Sequence, residues 1–190
     1  MTLIFATHNP NKVKEIQALL PEHIQLKSLH DIGFEEDIEE YGTTIEANAK
    51  IKVEAIVKKY NLPCFADDTG LEVKALDGKP GVKSARYAGE DKNDDANKRK
   101  LLKDLEQYVD RSARFKTVIY YKNQGVEYQF TGICEGEITK EESGNGGFGY
   151  DPIFKPKGHS QTFAEMQSAQ KNKISHRSLA FQQLIEFLKV

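Results

Sequence analysis

Short apolar runs and amphipathic stretches alternate along this chain. Residues 2–6 and 62–66 are apolar runs bounded by polar residues, the pattern of buried strands. Apolar residues recur at helical spacing after residue 10 and between 45 and 60. Further strands are predicted over 24–29, 71–73, 113–119, 126–134 and 152–154, and further helices over 93–108 and from residue 176 onward.

Polar residues at the element ends support these boundaries. Asn9 followed by Pro10 is a helix start, because Asn caps free N–H groups and proline suits the first turn. Residues 43–46 fit a capping box, and Ser175 is a predicted N-cap of the last helix. Residues 123–125, Asn-Gln-Gly, predict a β-hairpin turn.

Composition narrows the class of protein. A chain of 190 residues is expected to form a single domain over 1–190, with room for a second lobe. A formal net charge of −2 gives no electrostatic case for nucleic acid as partner, and no apolar run approaches a membrane span. Cys64 and Cys134 lie in strand-like runs, which suits a reducing cytoplasm better than a disulfide framework.

The first candidate chemistry is the pair Asp67-Asp68, which follows an apolar strand and precedes Thr69 and a turn glycine, Gly70. Successive side chains of an extended chain point to opposite faces, so one carboxylate can face a site while the other orients the loop. An isolated pair of this kind is also compatible with a solvated acidic turn.

A second candidate lies between the first strand and the first helix, over residues 7–12. Free N–H groups at a helix start favour anions, and Lys12 and Lys14 add positive charge. The glycine spacing of a Walker loop is missing, and an ordinary strand–helix turn with solvated lysines is the alternative.

Two further stretches are unusual in composition. Residues 34–40 are strongly acidic, which indicates a solvated loop or a source of one or two carboxylates for a cation near Asp68. Residues 144–152 are rich in glycine, which permits close backbone approach to a ligand, and Phe148 and Tyr150 offer faces for stacking a planar base. A long hairpin loop is the alternative for this stretch.

Five motifs occur in chain order at residues 5–12, 66–71, 80–89, 147–152 and 175–177. Together they resemble those of the inosine/xanthosine triphosphate pyrophosphatases, the Ham1/RdgB-like family, over residues 3–188. The resemblance implies hydrolysis of ITP, dITP and XTP to the monophosphate and pyrophosphate, with Mg2+, by a cytosolic homodimer. It implies an α/β fold with a long curved mixed sheet and flanking helices that form two lobes around a central cleft.

The resemblance also implies roles for individual residues. Asp68 corresponds to the catalytic carboxylate and a metal ligand, and Glu39 to a second metal ligand. His8 departs from the glycine or asparagine of many members, and its contact with substrate is open. The substrate-binding residues implied are Thr7, His8, Asn9, Pro10, Asn11, Lys12, Lys52, Thr69, Phe148, Gly149, Tyr150, Asp151, Lys171, His176 and Arg177.

The residues are compatible with that chemistry. Phosphoryl transfer depends on positioning and charge neutralisation, and a metal that acidifies water lets Asp68 be both ligand and base. Two alternatives remain at this stage. One is a Maf-like pyrophosphatase for other modified nucleotides, and the other is a purine-nucleotide-binding regulator without hydrolytic activity.

Overall fold

The computed structural model describes residues 1–189, without the side chains of Asn11 and Glu15. The chain divides into two compact units. Unit 1 contains Met1–Asp68, Thr117–Thr131 and the C-terminal residues from Ala180. Unit 2 contains Thr69–Lys116 and Gly132–Leu179. Each unit is therefore assembled from segments that are not contiguous in the sequence.

Strands and helices alternate along the described chain. The strands are β1 (Thr2–Phe5), β2 (Gln25–Lys27), β3 (Cys64–Val73), β4 (Pro80–Gly81), β5 (Ser112–Asn123), β6 (Val126–Ile138) and β7 (Phe154–Pro156). The helices are α1 (Pro10–Gln17), α2 (Ile45–Tyr60), α3 (Asp94–Asp104), α4 (Ser168–Ile174) and α5 (His176–Leu188).

The strands of residues 1–189 form one mixed sheet in the order β2-β1-β3-β5-β6-β7, with β4 paired to β3. β1 runs parallel to β2 and to β3, with Phe5 opposite Phe65. β4 is antiparallel to β3, and β7 is antiparallel to β6. The fold class predicted from the resemblance, a mixed sheet with flanking helices, is therefore confirmed.

Each unit has its own apolar core. In unit 1, the buried side chains of β1 and β3 meet those of α5, and Phe5 stacks on Phe65 with ring centroids 4.4 Å apart. In unit 2, Phe115 packs against Phe154 beside Leu101 of α3. Both cores contain fully buried aromatic and aliphatic side chains, the main source of stability in a chain of this length.

The predicted caps are present. The Asn9 side chain accepts a hydrogen bond from the Lys12 N–H (3.3 Å), and that of Ser175 accepts one from the Ser178 N–H (3.2 Å). Thr44 caps α2 through the Ala47 N–H (3.1 Å). The third helical position is therefore Ala47, so Glu46 does not occupy the place that a capping box gives to the acidic residue.

One difference from the sequence prediction affects the site. Asp67 and Asp68 do not stand at a strand end before a turn, because β3 continues from Cys64 to Val73. Long-range pairing explains the continuity, since Leu71 is paired with Gly81 of β4. The two aspartates thus occupy the middle of a strand, where alternation of side chains applies fully.

Smaller differences concern individual elements. The apolar residues at helical spacing after residue 10 include Leu19, which lies beyond the end of α1 and is 57% exposed. The predicted strand over 152–154 is a short 3-10 helix, Asp151–Ile153, followed by β7. The separate helix α4 was not predicted. The predicted hairpin turn is present at Gln124-Gly125, between β5 and β6.

Both cysteines are buried and unpaired by disulfides, as the sequence indicated. Burial raises the pKa of the Cys134 thiol to about 11 and raises that of Cys64 further. In the described part of the chain, no helix combines the length and the apolar character that crossing a bilayer requires.

Candidate active site

The loop between β1 and α1 is held by its own polar side chains. The Thr7 hydroxyl accepts a hydrogen bond from the Asn9 N–H (3.1 Å), and Asn9 in turn caps α1. The exposed His8 ring is 3.2 Å from the Glu36 carbonyl oxygen through Nε2. Pro10 is the first residue of α1, and the predicted side-chain role of Asn11 lies outside the described residues.

Asp67 binds the lysine at the end of that loop. The Lys12 ammonium lies 2.9 Å from both carboxylate oxygens of Asp67, although the two residues are 55 positions apart. The Asp67 side chain is only 3% exposed, whereas that of Lys12 is 25% exposed. A buried carboxylate thus holds a cation that still reaches solvent.

Asp68 faces a different lysine. The Lys52 ammonium lies 3.2 Å from Asp68 Oδ1, 3.0 Å from Glu40 Oε1 and 2.8 Å from the backbone oxygen of Asp67. We call Lys12, Glu40, Lys52, Asp67 and Asp68 the carboxylate–lysine cluster. All five belong to unit 1.

The electrostatics of the cluster set Asp68 apart. Burial raises the pKa of Asp68 to about 6, against the opposing charge of Lys52, and the carboxylate of Glu40 raises it further. Burial lowers the pKa of Lys52, but Asp68 and Glu40 outweigh this and keep it above its usual value. Asp68 is therefore a carboxylate whose proton affinity suits a general base near neutral pH.

Glu40 is a candidate site residue that sequence reasoning did not single out. The structure places the Glu40 carboxylate 3.0 Å from the Lys52 ammonium. Glu39, the predicted metal ligand, lines a pocket of about 660 Å³ with Tyr41, and both glutamates are exposed. Gly42 lies between this acidic run and α2, and its N–H donates to the buried Asn48 side chain (2.8 Å). An acidic run alone does not indicate which of its carboxylates contacts Lys52.

Carboxylate oxygens are the ligands that Mg2+ prefers. Within residues 1–189, no group of three or more acidic, His or Cys side chains is arranged to hold an ion by itself. Asp68 and Glu40 share the Lys52 ammonium, so this position already accommodates positive charge. The cluster therefore fits a cation whose remaining ligands are water and phosphate oxygens.

The glycine-rich loop is organised around Asp151. The buried carboxylate of Asp151 accepts hydrogen bonds from the Phe148 N–H (2.9 Å) and from the Lys171 ammonium (2.5 Å). A Cβ atom on Gly147 would lie 2.0 Å from Asp151 Oδ2, so only glycine permits this approach. The Gly149 N–H donates to Asp94 at the start of α3 (2.9 Å), a contact that sequence reasoning did not anticipate.

The two aromatic residues of this loop differ in role. Phe148 is 64% exposed, with the Lys171 nitrogen 5.2 Å and the Arg177 guanidinium 5.7 Å from its ring centroid. Tyr150 is 5% exposed and packs in the unit 2 core, and its hydroxyl donates to the Ser84 backbone oxygen (2.7 Å). Stacking of a base on Tyr150 is therefore corrected: only Phe148 of the two presents its ring.

His176 begins α5 and is buried. Its ring stacks on Phe115, with centroids 4.6 Å apart and planes at 17°. We call Phe148, Asp151, Lys171, His176 and Arg177 the aromatic–basic cluster, and all five belong to unit 2. Such a set suits a planar ligand with acceptor oxygens, because the ring stacks and the cations only donate. Thr69, half-buried on β3, directly follows Asp68.

Fold and site together define an α/β protein that presents lysines and carboxylates from a mixed sheet and donors beside an exposed aromatic ring. Comparison with known proteins narrows this class. The Ham1 family model matches residues 3–187. The chain belongs to the Ham1 family.

The relatives cover almost the whole chain. A dITP/XTP pyrophosphatase of Christiangramia forsetii is 58% identical over 188 residues, 99% of each chain. One from Bacillus subtilis is 48% identical over 190 residues, 98% of this chain and 96% of the relative. The solved Staphylococcus aureus Ham1 protein has a TM-score of 0.95 at 40% identity, covering 100% of this chain and 98% of its own.

Proposed function

We propose that this chain hydrolyses the non-canonical purine nucleotides dITP, ITP and XTP to the nucleoside monophosphate and pyrophosphate. The names of curated relatives, among them a dITP/XTP pyrophosphatase that is 58% identical over 99% of the chain, support this substrate class. Family membership and the two clusters support a hydrolytic enzyme.

We assign phosphate binding and hydrolysis to the carboxylate–lysine cluster. Lys12 and Lys52 neutralise phosphate charge, and the start of α1 adds N–H groups of the kind that bind anions. In the reaction, water attacks the α-phosphorus. The bond between the α-phosphorus and the oxygen that bridges it to the β-phosphorus breaks. Pyrophosphate leaves, and Asp68 accepts the proton of the attacking water.

The proposal includes a Mg2+ requirement. Asp68 and Glu40 would hold the ion, because both carboxylates already share one cation, the Lys52 ammonium. When bound, Mg2+ supplies charge neutralisation at the phosphates and acidifies the attacking water. Glu39, assigned to this role by the resemblance, is the matched residue for testing the choice.

We assign recognition of the base to the aromatic–basic cluster. Phe148 stacks on the purine, and Lys171 and Arg177 donate to its oxygens. Hypoxanthine and xanthine carry a 6-oxo acceptor, whereas adenine carries a 6-amino donor that would face these donors unpaired. Guanine would be rejected at its 2-amino group, where the site should offer no acceptor. Asp151 is already bound to Lys171, so its proposed role is to hold the loop.

The resemblance extends the proposal to a homodimer that works in the cytoplasm. Light scattering coupled to size-exclusion chromatography measures the first property, with twice the mass of 21.5 kDa expected. A mass equal to one chain at micromolar concentration contradicts the dimer without affecting the proposed chemistry.

The observation that carries the proposal is the carboxylate–lysine cluster, in which adjacent aspartates of one strand hold different lysines. The test is pyrophosphate release from dITP, ITP, XTP, ATP and GTP with Mg2+, using Asp68→Asn as the inactive control. We expect release from the first three and far less from ATP and GTP. Release of orthophosphate instead, or equal rates on all five, contradicts the proposal.

A further inference from the structure

The Lys52 ammonium is fully engaged within the protein. It has three N–H donors, and three oxygens lie within 3.2 Å of it: Asp67 O, Glu40 Oε1 and Asp68 Oδ1. Its side chain is 13% exposed. To donate to a phosphate, Lys52 must therefore release at least one of these oxygens.

Lys12 is in a different state. Its described contacts use two donors, both on the Asp67 carboxylate, and its side chain is 25% exposed. One donor of Lys12 remains for a ligand. Lys12 can thus donate to a phosphate without losing a contact, whereas Lys52 cannot, although both are proposed to contact phosphates.

Charge gives the second argument. Two lysines against three carboxylates leave the cluster with a formal charge of −1 when all five groups are ionised. A triphosphate approaching such a cluster meets net repulsion at short range. A divalent cation reverses the sign to +1, which favours the polyanion.

We propose that Lys52 occupies the cation position of the substrate-free protein and releases Glu40 and Asp68 to a divalent cation, which frees its donors for phosphate. The inference rests on the proposed function, which assigns both carboxylates to the metal. Lys52 stays anchored during the exchange, because its bond to the Asp67 backbone oxygen involves neither carboxylate. The order of binding is then cation first or cation together with the nucleotide.

The test uses Mn2+ alone, without nucleotide, with free Mn2+ measured by electron paramagnetic resonance. If Lys52 competes for the two carboxylates, Lys52→Met will bind Mn2+ more tightly than the wild type, by at least about fivefold, the lower end of ordinary coupling between ligands. Lys52→Arg, which keeps the charge, should stay close to the wild type.

Lys12→Met is the matched control, because it removes one positive charge from the same cluster without vacating Glu40 or Asp68. It should tighten Mn2+ binding less than Lys52→Met does. The inference is overturned if the two variants gain Mn2+ affinity equally or if Lys52→Met loses affinity. It is also overturned if neither the wild type nor Lys52→Met binds Mn2+. Thermal unfolding of each variant verifies that it is folded.

A second measurement uses the unmodified protein. The Nζ and Cε resonances of Lys52, assigned by comparison with Lys52→Arg, should shift on addition of Mg2+ alone, and those of Lys12 should shift less. Unchanged Lys52 resonances at a Mg2+ concentration that saturates the protein contradict the exchange. Failure of the proposed function would appear separately, as absent pyrophosphate release by a wild type that still shows this response.

Discussion

The two clusters of this molecule handle charge in opposite ways. The carboxylate–lysine cluster contains three carboxylates and two lysines, and its Lys52 is shared between two of those carboxylates. The aromatic–basic cluster contains one carboxylate, Asp151, which is buried and bound to Lys171, beside an aromatic ring that is largely exposed.

The difference indicates different tasks. A cluster with exchangeable ion pairs suits a reaction in which phosphate charge must be neutralised and a proton accepted. A cluster with a fixed ion pair and an open ring suits recognition of an uncharged planar group, where the donors must keep their places. Substitutions in the first cluster should therefore change turnover, and those in the second should change the choice of base.

The largest effect is expected from Asp68→Asn. Loss of the base and of a metal ligand should lower kcat by roughly 10²- to 10⁴-fold while the fold is kept. Asp67→Asn should cost less and should raise KM more than it lowers kcat, because its side chain holds Lys12 rather than the reacting water. Steady-state kinetics on ITP decide this, and a more damaging Asp67→Asn would reverse the assignment within the pair.

The second effect concerns metal demand. Glu40→Gln should raise the Mg2+ concentration needed for half-maximal activity by about tenfold or more, because one carboxylate ligand is neutralised. Glu39→Gln is the control at the neighbouring position and should need nearly the wild-type concentration. A larger increase for Glu39→Gln would restore the assignment implied by the resemblance and remove Glu40 from the metal site.

The third effect tests base selection in the other cluster. Arg177→Ala should lower kcat/KM for ITP much more than for ATP and so narrow the ratio between them. One unpaired donor or acceptor is worth about 1–3 kcal/mol, which is roughly 5- to 150-fold in that ratio. Lys173→Ala, which removes an exposed charge of α4, should leave the ratio unchanged. An equal loss on both nucleotides would place Arg177 at the phosphates or in the scaffold.

The smallest effect is on stability. Because the folded-state pKa of Asp68 is raised to about 6 from 3.8, its contribution is most favourable below pH 3.8 and is lost as the pH rises to about 6. Asp68→Asn should therefore be more stable than the wild type at pH 8. Each kcal/mol gained in the free energy of unfolding should raise Tm by roughly 2–4 °C.

The same comparison at pH 4 provides the check on that prediction. The gain of Asp68→Asn should shrink there, because Asp68 is then largely protonated in the wild type. Asp67→Asn should instead lose stability at pH 8, since it breaks a buried ion pair. Scanning calorimetry in EDTA measures all three proteins, and a lower Tm for Asp68→Asn at pH 8 would contradict the role of burial at this carboxylate.

Local features of this chain followed from its sequence. Asn9 and Ser175 cap helices because their side chains bond N–H groups three residues away, and Gln124-Gly125 turns a hairpin through the conformations of adjacent residues. The separation of Asp67 from Asp68 also follows locally, since alternation along a strand directs neighbours to opposite faces. Ordered motifs along nearly the whole chain indicated the family, which the comparisons confirm.

Other features depended on residues far apart in the chain. Asp67 meets Lys12 only because β1 and β3 pair in parallel, and β3 continues past Asp68 only because β4 pairs with it. Residue type alone does not show that Glu40 and not Glu39 contacts Lys52. It also does not show that the ring of Phe148 is exposed while that of Tyr150 is buried. Direction toward a site or into a core is decided by long-range packing, and only the tertiary structure provides it.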